Sequence, residues 1–140
     1  FSGEVLFETD SDDIKAEFKN RLKKVIPEYV GVLLDKKHRN NISQIIIEGH
    51  TDDTGDYLYN LDLSQRRATS VVKFILSNEF PDFKYKELLK YYITANGKSE
   101  SKLIKNSDGS IDRARSRRVE IKFNITDQYF INKMKEVVTP

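Results

Sequence analysis

From Val119 to Ile125 the chain alternates without a break, with Val119, Ile121, Phe123 and Ile125 apolar and Glu120, Lys122 and Asn124 polar. A period of two places the apolar set on one face of a β-strand and the polar set on the other, so this chain builds a sheet with one covered and one wet face. The cover is visible upstream. Between about Tyr57 and Leu76, Leu61, Ala68, Val71, Val72 and Ile75 recur at helical spacing and mark one apolar flank. A first helical run sets Ile14, Phe18, Leu22, Val25, Ile26, Tyr29 and Leu33 on a common face, and Pro27 inside it predicts a kink or a break.

The remaining elements fall between these. Glu4 to Glu8 reads as a short strand, and Asp10-Ser11-Asp12-Asp13 after it offers side-chain oxygens for capping a helix start. Three consecutive isoleucines within Gln44 to Glu48 fit a central strand. Thr51 to Asp56 is a turn rich in Asp, Thr and Gly, Leu88 to Ala95 a third strand, and Asn96-Gly97 a turn that opens a polar loop reaching Ile111. After the alternating strand, residues 126–138 read as a short terminal helix with Tyr129, Phe130, Met134 and Val137 as its apolar side. The order β-α-β-α-β-β-α specifies an α/β sandwich, helices packed on one mixed sheet, with a C-terminal helix appended.

Size and composition narrow the function. A chain of 140 residues with 38% hydrophobic residues supplies one modest core, so residues 1–140 are expected to form a single domain with its core in 4–125. No apolar run approaches the roughly 20 residues of a bilayer-spanning helix. The start at Phe1, with no leader pattern, reads as a piece of a longer protein. Net charge is +2 although 33% of residues are charged, which gives bulk attraction to nucleic acid no support. The absence of cysteine excludes disulfides and thiolate metal sites, and His50 has no second His at metal-ligand spacing, so neither a metal nor a cofactor is expected.

One constellation carries the functional information. Glu48-Gly49-His50-Thr51-Asp52-Asp53-Thr54-Gly55 is followed by Tyr59-Asn60, Leu63-Ser64 and Arg66-Arg67-Ala68, and a second block joins Arg113-Ala114 to Ser116-Arg117-Arg118-Val119-Glu120-Ile121. With Phe7, Ser11 and Ile14 at the front, these residues resemble the OmpA/MotB-type peptidoglycan-binding domain. The run from Tyr57 to Arg67 and the closing block look more similar to MotB-type members, including the motor-like subunit of Zorya anti-phage systems. Ser116 stands where the family usually has Asn, and Asp112 where Gly is common.

The resemblance implies a binding module without catalysis. Its ligand would be the diaminopimelate-containing peptide stem of peptidoglycan, with Asp52 and Arg67 as the main holders, Asn60 assisting, and Thr51 and Arg117 at the same groove. It also implies a periplasmic domain of a membrane-anchored envelope protein, either an outer-membrane barrel, a lipoprotein or an inner-membrane stator-like protein. The stator-like members, towards which the motif leans, imply a homodimer in the full-length protein beside an inner-membrane ion-channel partner. Physical chemistry suits the assignment: the free end of diaminopimelate is a zwitterion, and an Asp with an Arg meets both of its charges. At about 100° per residue, Arg67 falls on the same flank of its helix as Asn60, and Arg66 points away from the core. By strand alternation Arg117 shares the face of Val119, and Arg118 faces the other way.

Other readings of the same residues are an acidic turn or cation site at Asp52, Asp53 and Asp56, and a nucleic-acid or protein interaction patch built on Arg113, Arg115, Arg117 and Arg118. A wall hydrolase using paired carboxylates lacks any residue set for a nucleophile, a metal or a general base. Asp53 and Asp56 are assigned to the turn.

Overall fold

The computed structural model describes residues 1–3 and 6–139, and for residues 128 and 129 the backbone alone. Helix α1 (Ala16–Leu33) leads through a 3-10 turn at Arg39–Asn41 into strand β1 (Ile42–His50). Helix α2 (Tyr57–Leu76), the one-turn helix α3 (Lys86–Leu89), β2 (Ile93–Gly97), the one-turn helix α4 (Arg113–Ser116), β3 (Arg118–Ile125) and α5 (Gln128–Val138) follow. The sheet runs β2-β1-β3, with β2 parallel and β3 antiparallel to β1, so it is mixed as expected.

β1 is central, and its register decides which side chains meet the helices. Ile45, Ile47 and Gly49 lie opposite Phe123, Ile121 and Val119 on one side and Ile93, Ala95 and Gly97 on the other. Ile45, Ile47, Ile93 and Val119 pack in one core with Phe18, Leu22, Ile26 and Val30 of α1 and Ala68, Val71 and Ile75 of α2. The opposite face carries Glu48 and His50 across from Glu120 and Arg118. Alternation along β3 is kept, but its apolar side is covered only at the start: Val119 is buried, whereas Phe123 and Ile125 are exposed.

Two glycines let α2 lie unusually close to the sheet. A Cβ at Gly49 would overlap the Ser64 carbonyl oxygen, and a Cβ at Gly97 would overlap the Gln65 backbone nitrogen. Gln65 also finishes the β2 edge, accepting from the Gly97 N–H at 2.8 Å and donating to the Ala95 carbonyl at 3.2 Å. That pairing satisfies main-chain groups that an edge strand otherwise leaves open.

Several expectations need correction. Pro27 lies inside α1 without ending it, because Phe18, Leu22, Ile26, Val30 and Leu33 are buried on both sides of it and hold one continuous helix. Val25 and Leu61 are exposed, and the buried flank of α2 runs through Asn60, Leu63, Ser64, Ala68, Val71, Phe74 and Ile75. Asp10 to Asp13 do not cap α1, whose N-cap is Lys15, a residue whose side chain makes no capping hydrogen bond. Leu88 to Tyr92 is not strand: Leu89 is buried from the short helix α3, and Asn96 and Gly97 pair with β1 instead of turning. Of the expected first strand, Glu4 and Val5 lie outside the described residues, and Phe7 makes one isolated bridge, to Ile14. In α5, Asp127 accepts from the Phe130 N–H, but Phe130, Met134 and Val137 are exposed, and the Tyr129 side chain lies outside what is described.

Gly49→Ala is expected to destabilise the domain by about 1–3 kcal/mol through backbone overlap with α2. Gly31→Ala, in the last turn of α1 with nothing within 4 Å of its new Cβ, is expected to stabilise it by roughly 0.5–1 kcal/mol. Urea unfolding of both variants checks the contrast; equal effects would contradict the close approach.

Candidate functional site

The last residues of β1, the N-terminal half of α2, the start of β3 and residues 6–10 surround a cavity of about 500 Å³. Thr51, Asp52, Asn60, Arg67 and Arg117 all line it. They come from three separate elements, brought together because α2 lies against the ends of β1 and β2.

The loop 51–56 is organised by its own side chains. The Thr51 hydroxyl donates to the Asp52 carbonyl at 2.9 Å, and the Asn60 amide donates to the Thr54 carbonyl at 2.9 Å. Asp56 caps α2 by accepting from the Tyr59 N–H. Asp53 takes a two-pronged pair from Arg113 at 2.8 and 3.1 Å, so it does more than form the turn.

Asp52 is 7% exposed and accepts on both oxygens, from the Thr54 N–H at 2.8 Å and from the Arg117 guanidinium at 2.6 Å. Burial pushes its carboxyl up, but the Thr54 and Arg117 donors outweigh that and hold it below the ordinary value of 3.8. Arg67 donates from Nε to the Ser11 carbonyl at 2.7 Å and from Nη2 to the Glu8 carbonyl at 3.0 Å, and its Cζ lies 4.8 Å from the centre of the Phe7 ring. Burial lowers its pKa, opposed by Tyr59 and Asp10. Such a cradle aligns the guanidinium plane with carbonyl dipoles and a π-face, while Asp10 and Asp12 act on its charge from beyond ion-pair distance. No carboxylate lies within ion-pair distance of Arg67 among the described residues.

Arg66 turns outward and pairs with Asp62 at 2.9 Å and Asp12 at 3.4 Å. Arg118 points to the other sheet face, where its Nε donates to Glu120 at 2.6 Å, and it also borders the cavity. His50 sits buried on that face with Nε2 at 3.2 Å from Glu48 and 3.6 Å from Glu120. Three potential metal-ligating atoms converge there, but the Lys122 ammonium already lies 3.1 Å from Glu48 and 3.6 Å from Glu120. A tethered cation thus stands where a metal would bind. The four arginines from Arg113 to Arg118 form no open basic patch either, since each is paired, with Asp53, Asp112, Asp52 and Glu120 respectively.

Sequence reasoning gave no site role to Glu8, Ser11 and Asp10, although Ser11 belongs to the motif that carries the resemblance. The first two act through backbone carbonyls, which leave no signature in residue type. Asp10 adopts a left-handed backbone with φ of 59° and accepts from the Tyr59 hydroxyl at 2.9 Å, a contact across 49 residues that no local pattern announces.

The OmpA family model matches residues 6–118. The chain belongs to the OmpA family. It is 33% identical over 133 residues to the Zorya protein ZorB of Escherichia coli, the match covering 86% of this chain and 54% of that protein. It is 31% identical over 120 residues to the outer-membrane lipoprotein YfiB of Pseudomonas aeruginosa, covering 86% and 62%. The chain therefore spans between half and two thirds of the length of these relatives. Among solved structures, the periplasmic domain of Helicobacter pylori MotB superposes with a TM-score of 0.63 at 19% identity, over 100% of this chain and 85% of that one, and shows the same fold. The cell wall anchor of the type VI secretion system of Pseudomonas aeruginosa gives 0.55 at 25% identity, over 90% and 79%. This OmpA-family domain is thus related to cell-wall anchors, and peptidoglycan-binding domains of the family are non-catalytic. No helix among the described residues is long and apolar enough to cross a membrane.

Because the folded Asp52 carboxyl titrates below its ordinary value, it contributes stability that is complete above about pH 3.8 and is lost as pH falls through its folded value. Asp52→Asn should flatten the dependence of unfolding free energy on pH in that acid window and leave its shape near neutrality unchanged. An unaltered acid limb would contradict the Thr54 and Arg117 contacts.

Proposed function

We propose that this OmpA-family domain binds the diaminopimelate-containing peptide stem of peptidoglycan without covalent chemistry, and so anchors a larger envelope protein to the cell wall. The observation that carries the proposal is the placement of Arg67 and Asp52 around one cavity, with no carboxylate within ion-pair distance to match Arg67 among the described residues. The carboxylate at the free end of diaminopimelate supplies that match: a guanidinium already aligned by Glu8 and Ser11 presents its other N–H groups to an incoming carboxylate as a fork. The ammonium on the same carbon goes to Asp52, whose carboxylate retains acceptor capacity beyond the bonds from Thr54 and Arg117. Asn60 and Thr51 hold the loop that carries Asp52, and Arg117 sets the orientation of its carboxylate.

The parent protein in this proposal is a MotB-type or Zorya-type membrane protein, with this domain in the periplasm. Its chains pair in the full-length protein beside an ion-channel partner. Similarity to ZorB supports the choice of parent, whereas the pairing and the channel partner rest on the family resemblance. Sedimentation of the detergent-solubilised full-length protein as a monomer would remove the pairing.

Pull-down on insoluble diaminopimelate-type peptidoglycan is the test of binding. Wild type should co-sediment, Asp52→Ala and Arg67→Ala should stay in the supernatant while remaining folded by circular dichroism, and Arg67→Lys should lose about tenfold or more in affinity, because a point charge replaces the fork. Retention of both alanine variants on the wall would overturn the assignment.

A further inference from the structure

The turn after β2 holds a side chain that does not line the cavity yet bonds to both of the segments that build it. Ser99 is fully buried, and its backbone is left-handed with φ of 52°, a conformation that favours glycine. All three of its polar groups are used. Its carbonyl accepts from the Thr51 N–H at 2.9 Å, its N–H donates to Ser64 Oγ at 3.1 Å, and its hydroxyl donates to the Tyr57 carbonyl at 2.8 Å. Thr51 immediately precedes Asp52, Tyr57 is the first residue of α2, and Ser64 lies on α2 between Asn60 and Arg67. One buried residue therefore ties the loop bearing the anion to the helix bearing the cation.

Apolar packing alone leaves a helix able to shift along a sheet, since the hydrophobic effect is not directional, whereas hydrogen bonds set its axial position. A serine in a glycine-like conformation is explained by its hydroxyl, which reaches a carbonyl of the first turn of α2. We infer that Ser99 is a positioning residue of the site, fixing the placement of Asp52 relative to Arg67 through Thr51, Tyr57 and Ser64 without touching a ligand. Its effect on affinity rests on the peptidoglycan reading; its effect on Asp52 does not.

Ser99→Gly is the informative variant, because glycine accepts the backbone conformation and keeps both main-chain groups while deleting the hydroxymethyl group and with it the bond to Tyr57. Two quantities are measured: the Asp52 carboxyl titration by carbon-13 NMR, and affinity for a soluble L-Ala-γ-D-Glu-diaminopimelate tripeptide. The variant should stay folded, its Asp52 titration should move up toward 3.8 as the Thr54 and Arg117 donors loosen, and tripeptide affinity should fall about five- to tenfold. An Asp52 titration at the wild-type position, with wild-type affinity, would overturn the inference. If wild type does not bind the tripeptide but Ser99→Gly still shifts the titration, the positioning role stands and the ligand assignment fails. Should Ser99→Gly not fold, Ser64→Ala removes the acceptor on the α2 side of the same bracket, and the same titration shift is expected from it.

Discussion

The contact on which the rest of this structure depends is the close approach of α2 to the ends of β1 and β2, permitted by Gly49 and Gly97. With any larger residue at either position the helix would stand off, and Asn60 and Arg67 would move away from the loop that follows Gly49. Gln65 and Ser64 exploit the approach, the first by completing the β2 edge and the second by accepting from Ser99. Packing and polar satisfaction thus share one short stretch of helix, and the cavity opens beside it.

Electrostatics at the cavity divides the labour between two arginines. Arg117 is spent on Asp52, where together with the Thr54 donors it outweighs the cost of burying a carboxylate and holds it ionised. Arg67 pairs with no acid among the described residues; carbonyls of Glu8 and Ser11 and the face of Phe7 hold it in place, with Asp10 and Asp12 beyond ion-pair distance. Replacing the hydration of such a cation by a ligand carboxylate costs little reorganisation, since the guanidinium is already oriented. On the other sheet face, Glu48, His50, Glu120, Arg118 and Lys122 form a self-neutralising cluster, so the charge on that side is structural.

Much of this was legible in the sequence where one periodicity dominated. The alternation from Val119 to Ile125 located β3 and its facing, the triple isoleucine located β1, and the helical spacing located α2. Legibility failed where tertiary contacts overrode local pattern. Leu88 and Leu89 look strand-like, but Leu89 is buried from a single helical turn. Pro27 looks like a break, but the burial of its neighbours holds α1 together. Apolar spacing announced α5 without saying that its apolar side would be exposed. At the site, the motif residues Thr51, Asp52, Asn60 and Arg67 could be named in advance, and alternation turned Arg117 toward them. The Arg67 cradle and the Ser99 bracket could not, because they rest on main-chain atoms and on partners 35 to 59 residues away.

The central claim is that Asp52 and Arg67 jointly receive one zwitterionic end of a peptide stem. Its most direct test is a nitrogen-15 NMR titration of the domain with a soluble diaminopimelate-terminated muropeptide, following backbone amides and arginine Nε–H signals together. The account predicts that the Arg67 Nε–H and the amides of Thr51 to Thr54 and Asn60 shift along one saturable curve. It also predicts that a muropeptide amidated at the terminal carboxylate loses the Arg67 response. Shifts confined to α5 or to the Glu48–His50 face, or none at saturating ligand, would contradict it.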